Sequence, residues 1–378
     1  MPRSRPARAL AWPLAAAALF AALAAVDAPE AGEVARRLAP VLGFAAGMSA
    51  TVNLAAEAGA FEAMTGWLER RARSTELLWA GFLGLCVVST IFLSLDTTAI
   101  MLTPLAVAVA RRRGLSVPAL ALAVVWISNL ASLPLPVSNL TNLLALGGGA
   151  FGSSPGYASR AWAPAAAGIV VAVAASYVVR LIHPSSRTRQ PSPAGDTGPI
   201  AGRALLILAA TVVALVSPAP YWATSTAAAS AMAVAVGVEK RGAVGLSLVP
   251  WSSLGLAAAM SAAAALLGAA GITDGIVGYL AGSGHLALAA AGAVAANAIN
   301  NLPAYLALEP AATGGAARHL ALLVGVNFGP LVTPWASLAT LLWHDQLERA
   351  GVRVSWGRFA AYGAVLAPVA VLAATSAL

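Results

Sequence analysis

Polar side chains are scarce in this chain, and the places where they gather are informative. Amides, hydroxyls and one carboxylate interrupt long apolar runs at Ser94, Asp96, Thr97 and Thr98, at Asn129, at Ser138, Asn139, Thr141 and Asn142, at Asn297, Asn300 and Asn301, and at Asn327, Ser337 and Thr340. Amide and hydroxyl groups offer donors and acceptors together, and no Lys or Arg falls inside these strings. Such a set suits a ligand recognised by hydrogen bonds rather than by a countercharge, although helix N-termini alone can hold an anion. The competing reading is that these side chains cap interrupted helices or tie helices together, the latter for Asn129, Asn297, Asn300, Asn301 and Asn327 above all.

Asp96 is the acid of the set. An acid at membrane depth is functional by default: its neutral form is tolerated in a low dielectric, whereas its charged form needs water or amide donors. Asp96 is therefore read as a proton carrier, against a plain helix-capping role. Glu309, just before Pro310, and Glu57 are further coupling candidates. The lone Cys86 allows neither an internal disulfide nor a thiolate metal site, and His183, His285, His319 and His344 are not spaced as a metal pair. No cofactor is expected. There is no His-Glu-x-x-His, Gly-x-Ser-x-Gly or paired intramembrane Asp arrangement, so the sequence does not read as an enzyme.

The elements that must position these groups follow from composition. Of 378 residues 60% are hydrophobic and 10% charged, against about 25% charged in soluble proteins, which makes the chain an integral membrane protein. At roughly 20 apolar residues per crossing the length admits about a dozen crossings and excludes a large soluble catalytic domain. The net charge of +8 sits in short clusters between apolar runs, which read as topology signals and not as a nucleic-acid surface. A basic start before an apolar stretch at 9–26 predicts an uncleaved signal-anchor helix. A span at 38–61 follows, then apolar sequence at 76–110 with its polar turn at 94–98.

Basic clusters at 69–73 and 111–113 flank that stretch on both sides. The positive-inside rule places both in the cytoplasm, which a full out-and-back pair or a re-entrant hairpin satisfies; the re-entrant form is preferred, because it puts Asp96 at a watery site within the protein. The run 118–147 is broken by Pro134 and Pro136, since proline removes a donor and clashes with the preceding turn. Exposed backbone at membrane depth is tolerated only against protein or a water-filled cavity, so a broken helix lining a cavity is expected. After a span at 161–182 and a hydrophilic stretch at 183–203 come spans at 204–217, 221–238 and 247–270. A second hairpin at 285–313, with Asn297, Asn300, Asn301 and Pro303 at its turn, leads to a second broken segment at 320–343 and a last span at 357–378.

Sliding the chain on itself by 198 residues places Asn129 on Asn327, Leu133 on Leu331, Pro136 on Pro334, Asn139 on Ser337, Leu140 on Leu338 and Asn142 on Thr340. The halves divide as residues 1–182, with the signal-anchor helix, and 204–378, joined by a cytoplasmic linker at 183–203. The positive-inside count inverts the second half relative to the first. The predicted fold is an all-α polytopic membrane protein of two inverted repeats, each with a re-entrant hairpin and a broken transmembrane helix, an architecture that marks secondary transporters. A multi-pass location in the plasma (inner) membrane follows.

Four blocks carry a resemblance: S-L-D-T-T-A-I-M-L-T-P at 94–104, L-P-V-S-N-L-T-N-L at 135–143, N-N-L-P-A-Y-L-A-L-E-P at 300–310, and G-V-N-F-G-P with S-L-A-T-L-L-W at 325–330 and 337–343. Together they resemble the arsenite/antimonite efflux permease (arsenical pump membrane protein) family, within the ion transporter superfamily that also holds sodium-coupled dicarboxylate and citrate carriers. The resemblance covers most of the chain from about residue 40. It implies export of arsenous or antimonous acid against proton entry, in some members with a separate soluble ATPase as partner. Arsenous acid is a neutral trihydroxide at pH 7, which Asn139, Thr141, Asn142, Ser337 and Thr340 could hold by hydrogen bonds; one cysteine cannot supply a three-thiolate site. Coupling would fall to Asp96, Asn129, Asn300, Asn301, Asn327 and Glu309. Na⁺ is the rival coupling ion, and a sodium-coupled carboxylate or inorganic anion carrier the alternative function.

Overall fold

The computed structural model describes residues 6–183 and 198–378, apart from 216, 218 and 241, with side chains described from residue 10 onward. The basic residues Arg3 and Arg5, Arg241 and most of the expected linker, 184–197, lie outside the described residues. Among the described residues the chain is helical, with no strand. The first half comprises α1 (Pro6–Val26), α2 (Ala28–Glu57), α3 (Ala60–Arg71), α4 (Thr75–Leu93), α5 (Leu95–Arg113), α6 (Val117–Leu130), α7 (Leu140–Gly147) and α8 (Ser154–Ile182). The second comprises α9 (Pro199–Leu215), α10 (Tyr221–Gly237), α11 (Trp251–Ala269), α12 (Asp274–Ala281), α13 (His285–Ile299), α14 (Asn301–Leu308), α15 (Ala316–Phe328), α16 (Leu338–Arg349) and α17 (Trp356–Thr375).

Helix starts follow ordinary capping chemistry. Asp27, Ser74, Ser116 and Ser153 each accept a backbone N–H from the first turn they precede, the usual role of a short polar N-cap. Gly59 (φ 79°) ends the run of α2 and starts α3, and Gly114 (φ 70°) ends α5; a Cβ would be strained at both. Among the described residues α2, α4, α8, α11 and α17 are long and apolar enough to cross a membrane.

Three expectations change. The second span starts at Ala28 rather than near 38, because Glu33, Arg36 and Arg37 extend the helix and Arg37 finds a carboxylate partner at its far side. The linker expected at 183–203 ends early, since α9 begins at Pro199. The amphipathic α3 and the short α12 are additional elements that apolar length alone does not reveal.

The broken helices form the centre. Every residue from Ala119 to Leu130 of α6 and from Leu320 to Phe328 of α15 is buried, as expected of helices apolar all round. Close packing on them relies on glycine: a Cβ at Gly325 or Gly329 would press on the backbone of Ala289 or Ala293 in α13, and one at Gly363 of α17 would lie 1.7 Å from the Leu331 carbonyl. Small residues four apart let helix backbones approach in this way.

Many of the charged residues gather around one vestibule. At one end Arg112 pairs with Glu69 (2.6 Å), Arg111 donates to the Ala350 carbonyl, and Lys240 reaches the Glu57 carbonyl. Arg70, Gln346 and Arg349 share that end, around a wide vestibule. Glu69, Arg70, Arg112, Lys240 and Arg349, drawn from four of the expected basic clusters, thus border one vestibule.

Candidate functional site

Two turns and two breaks build the site. At φ 94° and ψ 160° Ser94 joins α4 to α5, and at φ 95° and ψ 151° Asn300 joins α13 to α14. These are the two non-glycine residues with positive φ among those described. That region belongs essentially to glycine and costs on the order of 1–3 kcal/mol, a strain that clusters at functional sites. Each turn residue also caps the helix it starts, Ser94 accepting from the Thr97 N–H (3.4 Å) and Asn300 from the Leu302 N–H (3.2 Å). Ser94 therefore takes the capping role that Asp96 could have had. Asp96 sits in the first turn of α5 with Oδ1 buried and without a protein partner.

The breaks share one geometry. After α6 a 3₁₀ turn at Pro136–Ser138 leads to the extended Asn139 and into α7; after α15 a 3₁₀ turn at Pro334–Ala336 leads to the extended Ser337 and into α16. With 14 and 13 residues, α6 and α15 rise about 20 Å, short of the roughly 30 Å hydrocarbon core. Each break is tied to its own hairpin. Ser138 donates to the Ile91 carbonyl (2.8 Å), Asn300 donates to the Trp335 carbonyl (2.8 Å), and the Asn297 oxygen accepts from Val332 and Thr333 N–H at 3.2 and 3.0 Å. Asn297 is thus an anchor on α13 three residues before the turn, not part of the turn itself.

A buried network joins the halves. The Asn327 oxygen accepts from Asn139 Nδ2 (3.1 Å) and Thr141 Oγ1 (2.7 Å), and its Nδ2 donates to Asn142 Oδ1 (2.8 Å). Asn142 Nδ2 donates to the Ser132 and Leu135 carbonyls, and Asn139 Oδ1 accepts from the Thr141 N–H. Each of these side chains is thereby bonded within the protein, to one another and to the Ser132 and Leu135 carbonyls. Asn129, Ser337 and Thr340 are as deeply buried, but Asn129 Oδ1, Ser337 Oγ and Thr340 Oγ1 have no protein partner.

A cavity of about 40 Å³ lies where both turns and both breaks meet, walled by Asp96, Asn139, Asn300, Asn301, Ser337 and Leu140 among others. No Lys or Arg lines it. Its size suits on the order of three water-sized groups. Asp96 and Leu140 also line a second cavity of about 60 Å³ with Met48, Asn53 and Met101. Asn53 and Met101 in turn border the vestibule of about 1040 Å³ at the arginine-rich end, which Glu57 lines as well. The central cavity thus shares walls with the second cavity, and the second with the vestibule.

Glu309 lies away from this cavity, at the base of the second hairpin. There it accepts from Arg37 Nη2 at 2.6 and 2.8 Å and from the Tyr305 hydroxyl (3.1 Å), while Arg37 also reaches the Leu144 carbonyl. Sequence reading passed over Arg37, Ser132 and Asn53. A guanidinium at the edge of an apolar run and a serine inside the break were the available signals for the first two; nothing distinguished Asn53.

A model of a family described as citrate transporter matches residues 7–340. The chain belongs to the citrate transporter family. Beside this membership, it is 26% identical over 321 residues to the arsenical pump membrane protein of Yersinia enterocolitica, covering 76% of this chain and 73% of that protein. It is 27% identical over 323 residues to the arsenical pump membrane protein of Escherichia coli strain K12, with the same coverage. The resemblance read from the four sequence blocks holds. This member of the citrate transporter family is a multi-pass membrane transporter, similar to arsenical pumps, and its relatives are transporters rather than enzymes.

Proposed function

We propose that the chain exports arsenous and antimonous acid across the plasma membrane in exchange for protons. The observation that carries this reading is the composition of the central cavity: hydroxyls, amides and one carboxyl, without a cation, in a space of about 40 Å³. A neutral trihydroxide needs donors and acceptors rather than a countercharge. Citrate is far larger and brings three carboxylates that would find no guanidinium or ammonium in this wall. The names of the arsenical pump relatives support the same cargo.

The architecture we assign is a pair of inverted repeats, residues 1–182 and 204–378, whose hairpins are re-entrant. Support comes from the twin positive-φ turns, from breaks that coincide at a shift of 198 residues, and from half-length helices on either side of each break. The arginine-rich end is the cytoplasmic one by the positive-inside rule. The chain of cavities then opens inward, and the Arg37–Glu309 pair lies at the outer end. Asp96 is the proton site, since it alone brings a carboxyl to the cavity wall. Ser337, Thr340 and Asn301 are the ligand contacts, with Asn139, Thr141, Asn142 and Asn327 building the wall behind them.

Everted membrane vesicles test the reading directly. Arsenite and antimonite should accumulate when a proton gradient is imposed and collapse with a protonophore, with Na⁺ absent throughout. Accumulation of citrate in place of arsenite, or a strict requirement for Na⁺ at constant pH, would establish the alternative carrier.

A further inference from the structure

The two breaks are built on one backbone plan and finished with different side chains. At the shift of 198 residues Asn129 corresponds to Asn327, Asn139 to Ser337, Thr141 to Ala339 and Asn142 to Thr340, and helix ends coincide, Leu130 with Phe328 and Leu140 with Leu338. At one junction, between α15 and α7, the Asn327 amide is saturated by Asn139, Thr141 and Asn142. The counterpart junction lies between α6 and α16, which pack together as α15 packs on α7. Here every partner is a shorter group: serine for asparagine, alanine for threonine, threonine for asparagine.

The consequence is visible in the hydrogen bonds. Asn129 Oδ1, Ser337 Oγ and Thr340 Oγ1, at the positions that correspond to Asn327, Asn139 and Asn142, all lack a protein partner, in fully buried residues. Asn129 Nδ2 turns back on the Val125 carbonyl of its own helix (2.9 Å). Buried polar atoms are nearly always bonded, and an unpartnered one asks for an explanation. Three such atoms on the packed segments around α6 and α16, with Ser337 also walling the central cavity, point to a ligand. The set holds one amide oxygen that only accepts and two hydroxyls that both donate and accept, which matches a ligand hydroxyl and not a carboxylate.

We propose that Asn129, Ser337 and Thr340 form the subsite for a hydroxyl of the neutral oxyacid, and that the twin junction of Asn327, Asn139, Thr141 and Asn142 is a structural staple whose side chains, bonded within the protein, take no hydrogen bond from the ligand even where Asn139 walls the cavity. This assignment rests on the cargo proposed above. It divides residues that the sequence treats as equivalent, placing Asn139 and Asn142 in the frame and their counterparts Ser337 and Thr340 in the site.

The test uses the full chain in proteoliposomes and in detergent. The triple substitution S337N/A339T/T340N gives Asn129 the partners Asn327 has. It should raise the unfolding midpoint measured without ligand and cut arsenite transport at least tenfold. Ser337→Ala and Thr340→Val should each weaken apparent arsenite affinity several-fold at an unchanged midpoint, having no protein bond to lose. Thr141→Val and Asn142→Leu should do the reverse, lowering the midpoint and leaving the apparent affinity of the folded protein as it was. Wild-type kinetics in the triple variant would overturn the assignment alone, as would a midpoint loss in Ser337→Ala and Thr340→Val equal to that of the staple variants. Failure of the unaltered protein to transport arsenite would overturn the cargo reading and this subsite with it.

Discussion

Asn327→Leu isolates the staple, because leucine is close to asparagine in shape and leaves no cavity. The substitution removes three side-chain hydrogen bonds, at 3.1, 2.7 and 2.8 Å. Asn139 Nδ2 keeps a longer contact with Ser132 Oγ (3.3 Å), whereas Thr141 Oγ1 and Asn142 Oδ1 are left without a side-chain partner. At the average of about 0.6 kcal/mol for interhelical bonds in a membrane protein, three bonds come to roughly 2 kcal/mol. Two fully buried orphans at about 1–3 kcal/mol each set an upper figure near 6 kcal/mol. Denaturant titration in mixed micelles, followed by tryptophan fluorescence, measures the difference. Asn129→Leu is the matched comparison: it loses one bond within its own helix and removes an orphaned oxygen, so its cost should stay within about 0.5 kcal/mol. Equal destabilisation by the two leucine variants would refute the distinction between the junctions.

Asp96→Asn mimics the protonated carboxyl and should bind arsenite more weakly than the unaltered protein, while losing uphill export and its pH dependence; proton-driven accumulation persisting in this variant would move the coupling group elsewhere. Arg37→Gln should cost about 1–3 kcal/mol, below the full figure for a buried pair because the side chains are 23% and 14% exposed, and Arg37→Gln/Glu309→Gln should recover part of it in a double-mutant cycle. Gly363→Ala puts a Cβ 1.7 Å from the Leu331 carbonyl, a clash with backbone that no rotamer relieves, and should cost more than roughly 3 kcal/mol or prevent insertion. Gly357→Ala, with open space around it, should be neutral in the same expression and unfolding assays.

The all-helical membrane class and the two broken helices were legible in the sequence because their signals are coarse. Proline and polar strings inside apolar runs marked both breaks within a few residues, and a shift that aligned Asn129 with Asn327 and Pro136 with Pro334 anticipated helix ends that coincide. What remained hidden depends on contacts across the chain. Arg37 and Glu309 are 272 positions apart, and no local pattern announces their pairing, so Glu309 could be misplaced near the coupling site. Asn139 and Ser337 were legible as polar residues after a proline but not as saturated and unsaturated. That difference arises from whichever side chain the opposite half supplies: a full amide with three partners at Asn327, a set of shorter groups opposite Asn129.

The proposed exchange also requires a sign, and the cavity chemistry supplies one. An ionised carboxylate only accepts hydrogen bonds, and a charge-assisted bond from a ligand hydroxyl is stronger than a neutral one. Arsenous acid brings hydroxyl donors to a wall that includes Asp96, so it binds best when that carboxyl is ionised, and a proton on the carboxyl competes with it. By linkage the competition is reciprocal: cargo arriving from the cytoplasm expels the proton, and a proton arriving from outside expels the cargo. A ligand that only filled the cavity and excluded water would have favoured the neutral carboxyl and coupled the two fluxes in the same direction. On the proposed topology Asp96 borders both the central cavity and the one beside the vestibule, so the released proton and the entering cargo would use the same inward path. Lowering pH should therefore weaken apparent arsenite affinity in the unaltered protein and leave it unchanged in Asp96→Asn; affinity that rises on acidification would reverse the sign and make the chain a symporter.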